Sequence, residues 1–300
     1  MMSLFRLGVG AAIASAASLG AVIAWPIGLP PPQLSELEGD VDRGAYLARA
    51  SGCIACHSDF KQGGVPLAGG VELETPFGAL YSPNLTTDPK EGIGDWTVED
   101  FALAVRQGVS PEGSPYYPAF PYPFYINFTD QEIVDLWAAF QTVPANDTPS
   151  RPPEMMFPFD QRWGMKLWRA AFLEPPRTDP VAEKDAVWNR GRQLVEGAAH
   201  CAACHTGRNL AGARKSDTEH FLGNANLPGG DKAPAIDVVT LRERGWTVES
   251  LAYAMRSGIM PDGDVFGGGM GEVVSYGTGF LTDADRTAIA TYLMDDHDGG

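Results

Sequence analysis

Cys53-Ile54-Ala55-Cys56-His57 and Cys201-Ala202-Ala203-Cys204-His205 decide how the rest of this chain is read, and between them they use all four cysteines. The spacing C-x-x-C-H is that of a c-type haem attachment site. Two thiols one helical turn apart can add to the two vinyl groups of one haem. The adjacent histidine is then held beneath the ring, with an imidazole nitrogen on the iron. Two disulfides, or two halves of a structural zinc site, would also use four cysteines. Neither requires a histidine after the second cysteine in both places. Zinc halves also usually lie within a few tens of residues, whereas these are 148 apart (201 − 53). The motifs predict two covalently bound haem c groups, attached at Cys53, Cys56, Cys201 and Cys204, with His57 and His205 on the irons.

Outward from the two motifs, the chain reads twice through one template. Gly44-Ala45-Tyr46-Leu47-Ala48 leads into the first motif, and Gly191-Arg192-Gln193-Leu194-Val195 leads into the second. Asp95-Trp96-Thr97-Val98-Glu99 follows the first, and Gly245-Trp246-Thr247-Val248-Glu249 follows the second. Thr97 and Thr247 are N-cap residues for helices whose apolar side is Val98, Phe101, Ala102 and Val105, or Val248, Leu251, Ala252 and Met255. Gly108 and Gly258 end those helices. Thr129-Asp130-Gln131-Glu132 opens a third helix with Ile133, Leu136, Trp137 and Phe140 on one side. Thr282-Asp283-Ala284-Asp285, with Ile289, Tyr292 and Leu293, opens its counterpart. Gly44 and Gly191 either let the opening and closing helices cross closely or are simply tolerated. The expected fold is all-α: two tandem domains, residues 40–144 and 186–297, after an N-terminal apolar helix. A proline-rich linker, 145–185, joins them and carries Trp163, Met165, Leu167, Trp168 and Phe172 on one short amphipathic helix.

Three hundred residues and 44% hydrophobic content suit two globular domains with real cores. A formal net charge of −16 argues against nucleic acid and fits docking onto a basic patch of a redox partner. After Arg6, residues Leu7 to Leu29 carry no charge. Residues 1–32 are therefore read as a signal peptide or as a retained membrane anchor, with Trp25 at the interface. The preferred reading is a retained anchor, its amino end in the cytoplasm and the body of the chain exported. His200, His220 and His297 are expected at the surface, and no Ser-His-Asp grouping or phosphate-cradling motif stands out.

The chain resembles dihaem c-type cytochromes built from two class I cytochrome c domains. It is similar to the cytochrome subunits of bacterial membrane-bound alcohol and gluconate dehydrogenases. The resemblance rests on the two haem motifs, Gly69-Gly70, Thr75-Pro76-Phe77-Gly78, Tyr81-Ser82-Pro83-Asn84-Leu85-Thr86, Tyr117-Pro118-Ala119-Phe120-Pro121-Tyr122 and Gly267-Gly268-Gly269-Met270, and covers about residues 40 to 297. It implies an electron carrier rather than an enzyme, working on the periplasmic side of the cytoplasmic membrane. Its partners would be a dehydrogenase donor and a quinone- or oxidase-side acceptor. The best-known dehydrogenase subunits have three haem motifs where this chain has two, so its partner need not be theirs.

The resemblance also implies roles for single residues. Pro83 and Pro234 stand where such domains use a proline carbonyl to fix the ligating histidine. Met270 stands in a glycine-rich loop where they present a methionine to the iron, with Met260 as the alternative. In the first copy that loop position holds Phe120, which cannot ligate iron, and where some relatives have a nearby histidine this chain has Pro115. The first iron is then open or water-bound, or takes Tyr116, Tyr117, Met155 or Met156. An open iron is the preferred reading, with a peroxidase-like or gas-binding role as the functional alternative.

Overall fold

The computed structural model of the protein describes residues 20–30, 33–227 and 230–295. Two helical units are built on one plan. In the first, helix α1 (Val41–Ala50) runs into the turn α2 (Cys53–His57), and α3 (Val98–Gln107), α4 (Tyr122–Tyr125) and α5 (Asp130–Phe140) complete it. Helix α6 (Gly164–Phe172) lies between the units. In the second, α7 (Ala186–Gln193) continues through a π-helical stretch, Leu194–Ala198, to α8 (Ala202–His205). Helices α9 (Val248–Ser257), α10 (Gly268–Tyr276) and α11 (Asp283–Leu293) then close it.

The helix signals in the sequence act as read. Thr97, Thr129 and Thr247 each form a capping box, closed by Asp100, Glu132 and Ser250 respectively, and Thr282 caps α11. Gly108 and Gly258 end α3 and α9 in the left-handed conformation. The apolar sides given by that spacing are buried, apart from Trp137, Val248 and Ala252, which are half-buried against the core. Phe101, Ile133 and Leu136 join Leu251, Ile289 and Leu293 in one cluster that runs through both units.

The opening and closing helices of each unit cross at a glycine. A Cβ on Gly44 would lie 1.8 Å from the Asp135 carbonyl oxygen, and one on Gly191 would lie 2.0 Å from that of Ala288. Close approach is therefore what these glycines provide. An ion pair brackets each crossing. Arg43 donates to both carboxylate oxygens of Asp135, at 2.7 and 2.8 Å, and Arg190 to both of Asp285, each at 2.8 Å.

Burial opposes the charge on Asp135 and Asp285. The bonds from Arg43, the Asp40 amide and Gln131 at the first, and from Arg190 and Tyr46 at the second, outweigh it and hold both carboxyls below their ordinary range. Because the folded value is depressed, the stabilisation is present above the ordinary carboxylate pKa, about 3.9, and is lost as pH falls through the folded one. Thermal melts between neutral pH and pH ~3 should show this as an acid limb. The double variant Asp135→Asn, Asp285→Asn should melt lower at neutral pH and have a shallower limb.

The fold is not purely helical. A three-stranded antiparallel sheet forms from β1 (Glu72–Thr75), β2 (Gly78–Tyr81) and β3 (Glu154–Met155). Pro76-Phe77 makes the hairpin turn. The Thr75 hydroxyl donates to the Gly78 carbonyl and accepts from the Phe77 amide, which supplies a turn signal that the helical template hid. The anticipated N-terminal apolar helix falls mostly outside the described residues, which begin with a short helical turn at 20–24. Among the described residues no helix is long and apolar enough to cross a membrane. The linker does contain its short amphipathic helix, α6.

Candidate functional site

Each C-x-x-C-H pentapeptide forms a single helical turn that ends at its histidine. One turn brings residues three apart to the same side, so Cys53 and Cys56, and Cys201 and Cys204, form two thiol pairs. All four cysteines are free. Burial pushes the Cys53 and Cys201 thiols up to about 12, so neither is a thiolate nucleophile at neutral pH. Among the described residues no three His, Cys, Asp or Glu side chains converge as metal ligands.

A proline carbonyl downstream of each histidine orients its ring. The His57 Nδ1 lies 2.9 Å from the Pro83 carbonyl oxygen, and the His205 Nδ1 lies 2.7 Å from that of Pro234. A carbonyl only accepts, so in both rings the proton is on Nδ1 and the Nε2 lone pair is left for a metal. Burial lowers both imidazoles below their ordinary range, against the pull of the proline bond, which keeps them neutral at pH 7.

Three smaller features deliver those prolines. Ser58 and Thr206, next to the histidines, accept from the amides of Leu67 and Phe221. Leu67 and Phe221 are held at positive φ, 61° and 59°, a strained conformation for non-glycine residues. Gly69 and Gly223, also at positive φ, donate to the His57 and His205 carbonyls. A Cβ on Gly69 would meet the Ser82 carbonyl oxygen at 2.5 Å, and one on Gly223 the Ala233 carbonyl oxygen at 2.9 Å, so glycine lets the proline strand close on the histidine. The role of Gly223 was not readable from the sequence, since no neighbouring motif marks it.

The opposite side of each site shows where the copies part. The hairpin bridges Val109–Pro115 and Ile259–Val265 recur at one offset of 150 (259 − 109 and 265 − 115), the same as that between the tryptophans. That register carries Phe120 onto Met270 (270 − 120). Met270 is half-buried and sits in helix α10 rather than in a loop, because Glu272 to Tyr276 propagate a helix through the glycines before it. Met260 packs against the core, and Met255 is buried in it. Phe120 is ringed by Tyr116, Tyr122 and Tyr125, all edge-on within 6.4 Å.

The other side chains considered for the first iron are poorly suited or engaged elsewhere. Burial pushes the Tyr116 phenol up to about 12, against the formation of a ligating phenolate. The Tyr117 hydroxyl donates to the Phe159 carbonyl. Met155 is paired with Gly78 in the sheet, and the Met156 side chain is mostly in solvent.

The two sites abut. The Tyr125 hydroxyl donates to the Ser51 carbonyl at 2.6 Å, and the His200 Nε2 lies 3.3 Å from the same oxygen. His200 therefore joins the two haem-motif turns, with its ring against Phe124 and Tyr125, each with centroids 5.8 Å away. It is half-buried rather than a surface residue, because the other unit covers it. His220 is half-buried too, its ring 3.9 Å from that of Phe221, and His297 lies outside the described residues.

Each unit also lays its distal segment near the other's motif. Helix α10, with Met270, packs on α2, held by the Lys61–Glu272 ion pair and the stacked rings of Phe60 and Tyr276. Pro118, Ala119 and Phe124 line a cavity of about 460 Å³ with Ala203 of the second motif. Burial first, then the nearby Cys204 and Glu272, raises the Cys56 thiol.

Known proteins match this sequence. A family model described as cytochrome c matches the chain twice, over residues 41–140 and 188–295. A protein named diheme cytochrome c-type from Cereibacter sphaeroides is 37% identical, over 96% of this chain and 97% of its own length. The gluconate 2-dehydrogenase cytochrome c subunit of Pantoea cypripedii is 38% identical over 84% of this chain, and a nicotinate dehydrogenase subunit of Pseudomonas putida is 38% identical over 88%. The chain spans 58% of the Pantoea protein and 22% of the Pseudomonas protein.

Proposed function

The chain belongs to the cytochrome c family, and from that premise we propose that it carries electrons through two haem c groups, one bound at each C-x-x-C-H turn. The observation that carries the reading is the pair of imidazoles, each with Nδ1 bonded to a proline carbonyl and Nε2 left over. Haem supplies a one-electron centre when bound; the protein's own groups supply its setting. Cys53 with Cys56, and Cys201 with Cys204, tether it. The Pro83 and Pro234 carbonyls fix ring orientation and raise the basicity of His57 and His205. Met270 gives the second site a thioether, which raises the potential. Residues 40–144 and 186–297 form the two domains.

The electron source we propose is a dehydrogenase, since several relatives are named as dehydrogenase cytochrome subunits. The proposed acceptor is a quinone or an oxidase-side carrier, and the proposed place is the periplasmic face of the membrane, with the N-terminal apolar run as anchor. Phe120 favours a second reading in which the first haem is open and binds small ligands. Intact mass and a peroxidatic stain after denaturing electrophoresis test the main proposal. The expected result is two haems per chain, falling to one in the Cys201→Ser, Cys204→Ser variant. A chain of unmodified mass, made in cells able to attach haem c, would end it.

A further inference from the structure

Helix α10 carries Met270 on a sequence that supports a helix poorly. Six of the thirteen residues from Gly267 to Gly279 are glycine, the residue that loses most backbone freedom on becoming helical. Gly267 caps the helix without a side-chain bond. Its nine residues also fall short of the about 12 that a helix needs to persist alone. The second unit fixes this segment at its two ends. The Phe266 amide donates to the Gly258 carbonyl and its ring stacks on Trp246, and the Thr278 hydroxyl donates to the Met255 carbonyl. Between those anchors only Val274 brings a buried side chain. The first copy differs, because Tyr122, Phe124 and Tyr125 bury its counterpart segment in its own unit.

The middle of the segment rests on the first unit. Lys61 pairs with Glu272 at 2.8 Å, and Phe60 stacks on Tyr276 with centroids 5.4 Å apart. A Cβ on Gly277 would stand 3.2 Å from the Arg49 carbonyl oxygen, and the Arg49 guanidinium lies 4.0 Å from the Phe280 ring centroid. Glu272 and Tyr276 are four residues apart, so they share one side of α10. An exposed ion pair contributes little alone, and the stacked rings carry more of the grip.

We propose that the first unit is a clamp that holds Met270 toward the second iron, with Phe60 and Lys61 as positioning residues acting through α10. Without that support the glycines return to coil and the thioether is withdrawn. The potential of the second haem is then set by the fit between the units and not by the second unit alone. This rests on the reading of Met270 as the second iron's ligand.

The test is Phe60→Ala with Lys61→Ala in the full haem-loaded chain, a change confined to the first unit. Both side chains are exposed, 39% and 81%, so the double variant should fold. Phe60→Tyr with Lys61→Arg keeps ring and charge and is the conservative pair. Hydrogen exchange reads α10; redox titration and carbon monoxide binding read the second haem. In the alanine pair the amides of residues 270–276 should exchange at least about tenfold faster than in the wild type. The higher of the two potentials should fall, as loss of a thioether requires, and one more carbon monoxide should bind per chain. The lower potential should stay in place, and the conservative pair should match the wild type. An unmoved higher potential would overturn the clamp, whether or not exchange quickens, and so would a shift confined to the lower one. Met270→Phe separates the two readings. If it lowers the higher potential where the alanine pair does not, the ligand stands without the clamp. If neither variant lowers it, the ligand reading falls and the clamp falls with it.

Discussion

Gly44→Ala should destabilise the whole protein by about 3 kcal/mol or more, read from denaturant midpoints, although alanine is the better helix former. On an open helix the exchange would gain up to about 1 kcal/mol. Here the added carbon would stand 1.8 Å from a carbonyl oxygen, 2.4 Å from its carbon and 2.9 Å from the Ala139 Cβ. Two of those atoms are backbone, so no rotamer change relieves the contact and α1 must back away from α5. That separation pulls at the Arg43–Asp135 bonds and opens the core on both sides of the crossing. Gly191→Ala should cost a similar amount, its contact being 2.0 Å. Gly164→Ala, with nothing within 4 Å, is the control and should be neutral or mildly stabilising. Equal stability of Gly44→Ala and the control would mean that the helices do not cross as described.

Phe120→Met should give the first haem the ligand that the second is proposed to have. In the wild type, electron paramagnetic resonance of the oxidised protein should show one high-spin and one low-spin iron, and carbon monoxide should bind one reduced haem per chain. In Phe120→Met the high-spin signal and the carbon monoxide adduct should both disappear, and the lower potential should rise, as a thioether ligand makes it. Met270→Phe should do the reverse at the second site. The substitution is favourable sterically, because Phe120 is held edge-on by three tyrosines at the register position of Met270, and methionine is flexible enough for that space. Two indistinguishable low-spin signals in the wild type would refute the assignment.

Features that a few consecutive residues specify were legible in the sequence. The capping boxes at Thr97, Thr129 and Thr247 and the stops at Gly108 and Gly258 each need only one turn of chain. Burial of Ile133 or Ile289 follows from periodicity alone. The thiol pairs and their histidines were legible because spacing and chemistry coincide in five residues. Hidden features depend on partners far along the chain. β3 finds β2 after more than 70 residues of intervening chain, so nothing local marks Glu154 and Met155 as strand. Met270 read as loop because glycine propensity hid a helix that Glu272 to Tyr276 sustain against the first motif. His200 read as surface because its bond to Ser51 crosses 149 residues.

The contacts between the units have a consequence for how such a chain can change. Tyr46 donates to Asp285 and accepts from the Thr282 amide, so a side chain of the first copy finishes the start of the last helix of the second. Gln193 answers by donating to Glu132, which closes the cap of α5. Two copies of one template form, in effect, a heterodimer on a single thread, each supplying the stitches that hem the other. Neither is free to drift alone. A replacement at Tyr46 or Gln193 sets a requirement on the opposite copy, and a gene cut at the linker would yield two frayed halves rather than two working ones.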